Sequence, residues 1–143
     1  MAAILSGTKY AAIDARGRMS FPAQYLGVLG NCLHITPDTD GLGFLQVNSE
    51  EGYTAFLDKI QTKFSGSKLK KVLRHVSSTT VTLEPDKLGR ITLTPELCEH
   101  AHLNGRVAVI GVGNYAEIWD ETRFKEQDAE DLDDILKLMS EED

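Results

Sequence analysis

The sequence writes one phrase twice. Residues 13–22 read IDARGRMSFP, and residues 85–95 read PDKLGRITLTP. At an offset of 72, Asp86 falls on Asp14, Gly89 on Gly17, Arg90 on Arg18 and Thr92 on Ser20. The apolar pairs Met19/Ile91 and Phe21/Leu93 coincide as well. Further on, the same offset lays Gly113 on Gly41, Trp119 on Val47 and Asp120 on Asn48. A constant offset through a motif, a glycine and a strand-to-helix junction marks a duplicated unit. A unit of about 70 residues buries only a thin core and commonly needs a partner. Two copies in a 143-residue chain supply that partner for each other. The expectation is one compact, pseudo-twofold domain of intertwined hairpins.

Each copy predicts the same elements. A strand (KYAAI; TVTLE) leads into a tight turn (DARG; DKLG). Asp opens such turns because its carboxylate accepts from backbone amides two residues on, and Gly accepts a positive φ at their end. A strand with period-two alternation follows (RMSF; RITL), then a short helix with Pro22 or Pro95 in its first turn. An apolar strand (CLHI; RVAVIGV), a Gly-containing loop and another strand (FLQV; AEIW) come next. A helix is predicted to start at Asn48 or Asp120, both good N-caps. The first helix ends near Lys63. The second runs on through DAEDLDDILKLM, with Leu132, Ile135, Leu136 and Met139 at helical spacing. The linker KFSGSKLKKVLRHV is expected to form a short helix.

Charge is unevenly distributed. The net charge is -7, yet residues 61–80 hold Lys63, Lys68, Lys70, Lys71 and Arg74 with no acid, while residues 107–143 hold twelve acids and three bases. Net charge therefore says little about the rest of the surface. No run approaches 18 apolar residues, so no membrane span is expected. The N-terminus lacks a basic start followed by a long apolar stretch, which points to a cytosolic chain with reduced thiols. Cys32 and Cys98 have no metal-type spacing. Of the histidines His34, His75, His100 and His102, the last two share no helix face, so no metal is expected. No nucleophile motif surrounds any Ser, and no paired-carboxylate or phosphate-cradle signature is present. GVG at 111–113 follows a strand but leads into another strand, which reads as a hairpin turn rather than a nucleotide loop. An enzyme is not expected, and neither is a cofactor.

At DARGR (Asp14–Arg18), DKLGR (Asp86–Arg90), FPA after the first motif and VIGVGNYAEIWD (Val109–Asp120), the sequence resembles the MraZ family. The resemblance covers roughly residues 6 to 125. It implies an α+β, β-rich fold of two tandem AbrB-like (SpoVT-AbrB) swapped-hairpin repeats, forming a pseudo-twofold intertwined barrel with short flanking helices. The boundaries it suggests are 6–50 for the first repeat, 51–77 for a helical connecting segment, 78–122 for the second repeat and 123–143 for an acidic C-terminal helix or tail. It implies a cytoplasmic, nucleoid-associated transcriptional regulator that forms rings of eight to twelve subunits. Such rings bind short direct repeats of double-stranded DNA upstream of the division and cell wall gene cluster. Carried over by position, the DNA contacts are Arg16, Arg18, Lys87 and Arg90, and Asp14, Gly17, Asp86 and Gly89 shape the turns. The chain departs from the family pattern where QYLGVL replaces a basic helix, at Thr94, and in its more acidic tail.

Alternatives stand beside these expectations. Arg18 and Arg90 could simply pair with Asp14 and Asp86, although an exposed pair of that kind stabilises by only ~0 to 1 kcal/mol. The basic linker reads more as a solvated helix face than as a phosphate-tracking patch. The C-terminal stripe packs either on its own core or against a partner or neighbouring subunit. The rival function is an oligomeric scaffold or antitoxin-like interaction module using the acidic tail, because fold alone does not fix function.

Overall fold

The computed structural model describes residues 4–141. The first copy contributes β1 (Thr8–Ile13), β2 (Arg18–Ser20), α1 (Ala23–Leu29), β3 (Leu33–Pro37), β4 (Leu45–Asn48) and α2 (Glu50–Lys63). Helix α3 (Gly66–Thr79) connects the copies. The second contributes β5 (Val81–Leu83), β6 (Arg90–Thr92), α4 (Pro95–His100), β7 (Gly105–Gly111), β8 (Ala116–Asp120) and α5 (Glu121–Ser140). All strand pairs are antiparallel, in the order β5-β3-β4-β8-β7-β1-β2-β6.

This order interleaves the copies. β1 pairs with β7, β5 with β3, β4 with β8 and β2 with β6, each strand thus meeting one from the other half. The result is the expected intertwined, nearly closed barrel. Its core draws on both copies: Met19, Phe21, Leu33 and Ile35 pack with Ile91, Leu93, Val107 and Ile118. Neither half could bury these side chains alone, which is why the duplication makes one body.

The barrel is open along one seam. β1 joins β2 at Ile13–Met19, but no pairing links β5 to β6 among the described residues. Pro85 stands where the first copy has Ile13, which pairs with Gly105 of β7. Proline has no N–H to extend the ladder and restricts the residue before it. β5 accordingly stops at Leu83, three residues long against six for β1.

Some local expectations hold and others are corrected. The offset of 72 does not survive the whole copy: Ile35 pairs with Val81 and Val109 with Lys9, so β3 and β7 are related by 74. Ser49 caps α2, accepting from the Gly52 amide at 3.0 Å. Asn48 remains in β4, buried, where it pairs with His34. Asp120 caps α5 as expected. The linker forms a helix of fourteen residues, with Val76 buried and its lysines in solvent, the solvated-face reading. GVG closes the β7–β8 hairpin, where Gly111 also lets the N-terminal segment pass: a Cβ there would lie 2.5 Å from the Ser6 amide nitrogen. Leu132, Ile135, Leu136 and Met139 do not pack on the chain's own core; all are exposed on α5.

Arg123 ties the second copy to the first. Its guanidinium donates to the carbonyls of Leu42 and Gly43, each at 2.7 Å, and of Ala101 at 3.4 Å. The same β3–β4 loop is gathered from inside by Asp38, which accepts from the amides of Leu42, Gly43 and Phe44 and meets His100 Nε2 at 2.6 Å.

Candidate nucleic-acid interface

The two copies of the phrase fold into two turns of nearly identical geometry. Asp14 Oδ1 accepts from the Arg16 and Arg18 amides, both at 2.9 Å, and Oδ2 accepts from Arg18 Nε at 2.8 Å. In the second turn, Asp86 Oδ1 accepts from the Leu88 and Arg90 amides at 2.9 Å, and Oδ2 from Arg90 Nε at 2.9 Å. Gly17 and Gly89 close the turns with φ of 81° and 78°. The Arg18 amide chiefly, helped by its guanidinium and the Arg16 amide, holds the Asp14 carboxyl below its ordinary range; Asp86 is lowered in the same way, first by the Arg90 amide. Each aspartate thus does two jobs: it folds the turn and fixes the arginine's Nε edge.

The turns open into β2 and β6, which pair about the pseudo-twofold axis at Met19–Ile91. Alternation sends Met19 and Ile91 into the core and turns Arg18, Ser20, Arg90 and Thr92 outward. Arg18 pairs with Thr92 and Ser20 with Arg90, which makes the arginines diagonal neighbours, ~7–8 Å apart between Cα atoms. Both line two shallow surface depressions, one with Ala12 and Ser20, the other with Glu84 and Thr92. Among the described residues neither arginine forms a hydrogen bond through Nη1 or Nη2. Both side chains are about half exposed, and such unpartnered donors form a planar fork suited to a guanine edge or a phosphate.

Arg16 and Lys87 are exposed on the turns themselves, but at different positions. Arg16 corresponds to Leu88, which is 73% exposed, and Lys87 to Ala15. The ribbon therefore ends in two unlike tips. Ser20, Thr92 and Leu88 belong to this face although motif reading passed over them; the period-two alternation already placed Ser20 and Thr92 beside the arginines. Helix α1 has no charged residue, so the ribbon's flank is uncharged there. The acidic helix α5 packs instead on β7 and β8, away from β2 and β6 in the strand order.

Comparison with known proteins adds to this geometry. A sequence model of the family described as "MraZ protein, putative antitoxin-like" matches residues 77–138. The chain is 35% identical over 136 residues to the transcriptional regulator MraZ of Ligilactobacillus salivarius, covering 89% of this chain and 90% of that one. It is 33% identical over 141 residues to the namesake from Bifidobacterium longum, covering 93% of each.

The chain belongs to the MraZ family.

A relative from Mycoplasma mobile, 29% identical over 135 residues, carries the same description. The MraZ family model takes in the second turn, Asp86 to Arg90, and most of α5. The first turn lies outside that match, and the MraZ relatives aligned over about nine-tenths of the chain extend the likeness beyond it. Among the described residues no helix is long and apolar enough to cross a membrane.

Proposed function

We propose that this chain is a sequence-specific DNA-binding transcriptional regulator. In this reading it binds short direct repeats upstream of the division and cell wall gene cluster as a ring-shaped oligomer at the nucleoid. The observation that carries the reading is the exposed β2/β6 ribbon, with the free Nη edges of Arg18 and Arg90 side by side. A two-stranded ribbon fits the major groove, where an arginine can bond guanine O6 and N7 together. Their Cα separation of ~7–8 Å is close to two base-pair steps at ~3.4 Å per nucleotide along one DNA strand. Arg16 and Lys87 hold phosphates on either side, and Leu88 offers an apolar contact of the kind a thymine methyl accepts. The MraZ relatives are named transcriptional regulators, which supports the regulatory part of this reading.

One subunit offers few base contacts and carries net charge -7, so a single copy binds weakly. Several linked copies on successive repeats raise the effective concentration of each later contact. Complementary surfaces support such an assembly. α5 presents Leu132, Ile135, Leu136 and Met139 among acids. The groove between α2 and α3, about 630 Å³, is lined by Phe56, Ile60 and Val72 and rimmed by Lys59, Lys63 and Lys71. Stripe into groove is a head-to-tail contact, which closes into a ring when the rotation between subunits allows it.

The test is fluorescence anisotropy with DNA from upstream of the chain's own gene. Arg18→Ala and Arg90→Ala should each lose ~1–3 kcal/mol, about 5- to 150-fold in affinity, with folding intact. Unchanged affinity in both would sink the assignment. Removing residues 126–143 should lower the assembled mass and the apparent affinity together. The exposed stripe also favours a second reading, an antitoxin-like module that captures a basic protein. That reading gains if the shortened chain loses binding to a basic protein partner while keeping its DNA binding.

A further inference from the structure

Cys32 directly precedes β3 and His34 is its second residue, so the two side chains share a face of the strand. His34 pairs with Asn48 at the end of β4, which puts the start of α2 beside it. Glu50, the first residue of α2, is thereby brought to the same place. One ligand atom from each of Cys32, His34 and Glu50 lies within 4.8 Å of the others, and Cys32 Sγ is 3.8 Å from His34 Nε2.

The imidazole is fixed by two neighbours. Its Nδ1 lies 3.0 Å from Thr82 Oγ1 on β5, and its ring stacks on Tyr53 at 4.8 Å with the planes 2° apart. With Nδ1–H donating to the threonine hydroxyl, Nε2 keeps its lone pair and faces the Cys32 thiol. That is the tautomer and outer hydrogen bond of a metal-bound histidine. A tetrahedral ion with bonds of about 2.3 Å to sulfur and 2.0–2.1 Å to nitrogen needs the Sγ–Nε2 distance to close by only a few tenths of an ångström.

We propose that Cys32, His34 and Glu50 form a zinc site, with water in the fourth position. Thiolate, imidazole and carboxylate together suit Zn²⁺ over harder cations such as Mg²⁺ or Ca²⁺. The ion joins β3 to the start of α2, and Thr82 links the site to β5, the strand that leads into the second arginine turn. Spacing alone gave no metal signature, because Glu50 reaches the others only through the β3–β4 pairing.

The test is titration of the purified full-length chain with Co²⁺, read by the thiolate-to-cobalt absorption band, followed by displacement with Zn²⁺. One equivalent should saturate the band, and Zn²⁺ should abolish it. Cys32→Ser should remove the band. His34→Ala and Glu50→Gln should each weaken Zn²⁺ binding at least tenfold in a chelator competition. Thr82→Val should weaken it about tenfold through the histidine's orientation. Glu50 and Thr82 are exposed, so their variants keep the fold and remain readable whatever Cys32→Ser does. No band in the wild type, a band retained in Cys32→Ser, or unchanged Zn²⁺ affinity in both Glu50→Gln and Thr82→Val would overturn the site.

Discussion

Asp14 grips Arg18 by its Nε edge alone, leaving both terminal nitrogens outward, and Asp86 does the same to Arg90. The grip makes a prediction that separates orientation from charge. Asp14→Asn makes the chain less negative, so simple attraction to phosphate would rise. If the aspartate aims the arginine, DNA affinity falls instead, by ~1 kcal/mol or about fivefold, the usual scale of one lost hydrogen bond. Anisotropy at fixed salt decides between the two signs.

The matching glycines are not equally replaceable. Both adopt positive φ, so alanine costs about 1–2 kcal/mol at either. At Gly89 a new Cβ meets nothing closer than 3.5 Å, but at Gly17 it would lie 2.2 Å from the Leu93 carbonyl oxygen. That oxygen belongs to the segment whose amide bonds Gly17 across the ribbon at 2.8 Å. Gly17→Ala should therefore lose a further ~1–3 kcal/mol from overpacking. Urea midpoints of the two variants should differ in that order.

Arg123→Ala should destabilise by roughly 2–3 kcal/mol, because charge-assisted bonds to the carbonyls of Leu42 and Gly43 disappear together. The damage should be local first: amide exchange should quicken in residues 38–44 before the barrel opens. Equal protection there in variant and wild type would speak against the clamp.

Two carboxylates should pull stability in opposite directions with pH. Burial alone would raise the Asp38 carboxyl, but His100 and the amides of Leu42 and Phe44 outweigh it and hold the group below its ordinary 3.8. Its contribution is complete above that value and fades as acid titrates the folded carboxylate. Burial foremost raises Glu117 above its ordinary 4.5, against bonds from Trp119 and Tyr115. Here the folded state prefers the proton, so stability is lost as pH rises through the window above 4.5. Glu117→Gln should thus match or exceed the wild type in melting temperature at pH 7, the gain vanishing near pH 4. Asp38→Asn should be less stable at pH 7 and draw level with the wild type well below pH 3.8.

The single intertwined domain was legible because its cause is written in the chain: a repeated motif, and halves too small to stand alone; the barrel itself came with the family resemblance. The arginine turns were legible for the same reason. What escaped depends on contacts across the chain. Arg123 looks like any charged residue in a first helical turn, and its partners lie about 80 positions away. Ser49 displaced Asn48 as a cap because β4 runs one residue further and keeps Asn48 in the sheet. The assembly of Cys32, His34 and Glu50 likewise needed strand register, which no spacing rule carries.

The unlike tips, Arg16 on one turn and Leu88 on the other, follow from fusing two copies in one polypeptide. Two identical chains paired about a true axis must change both ends at once, and they meet DNA the same way whichever end leads. This chain has a front and a back. In the head-to-tail assembly proposed above, that polarity would carry from one subunit to the next, and its counterpart would be a sequence repeated in one direction rather than a palindrome.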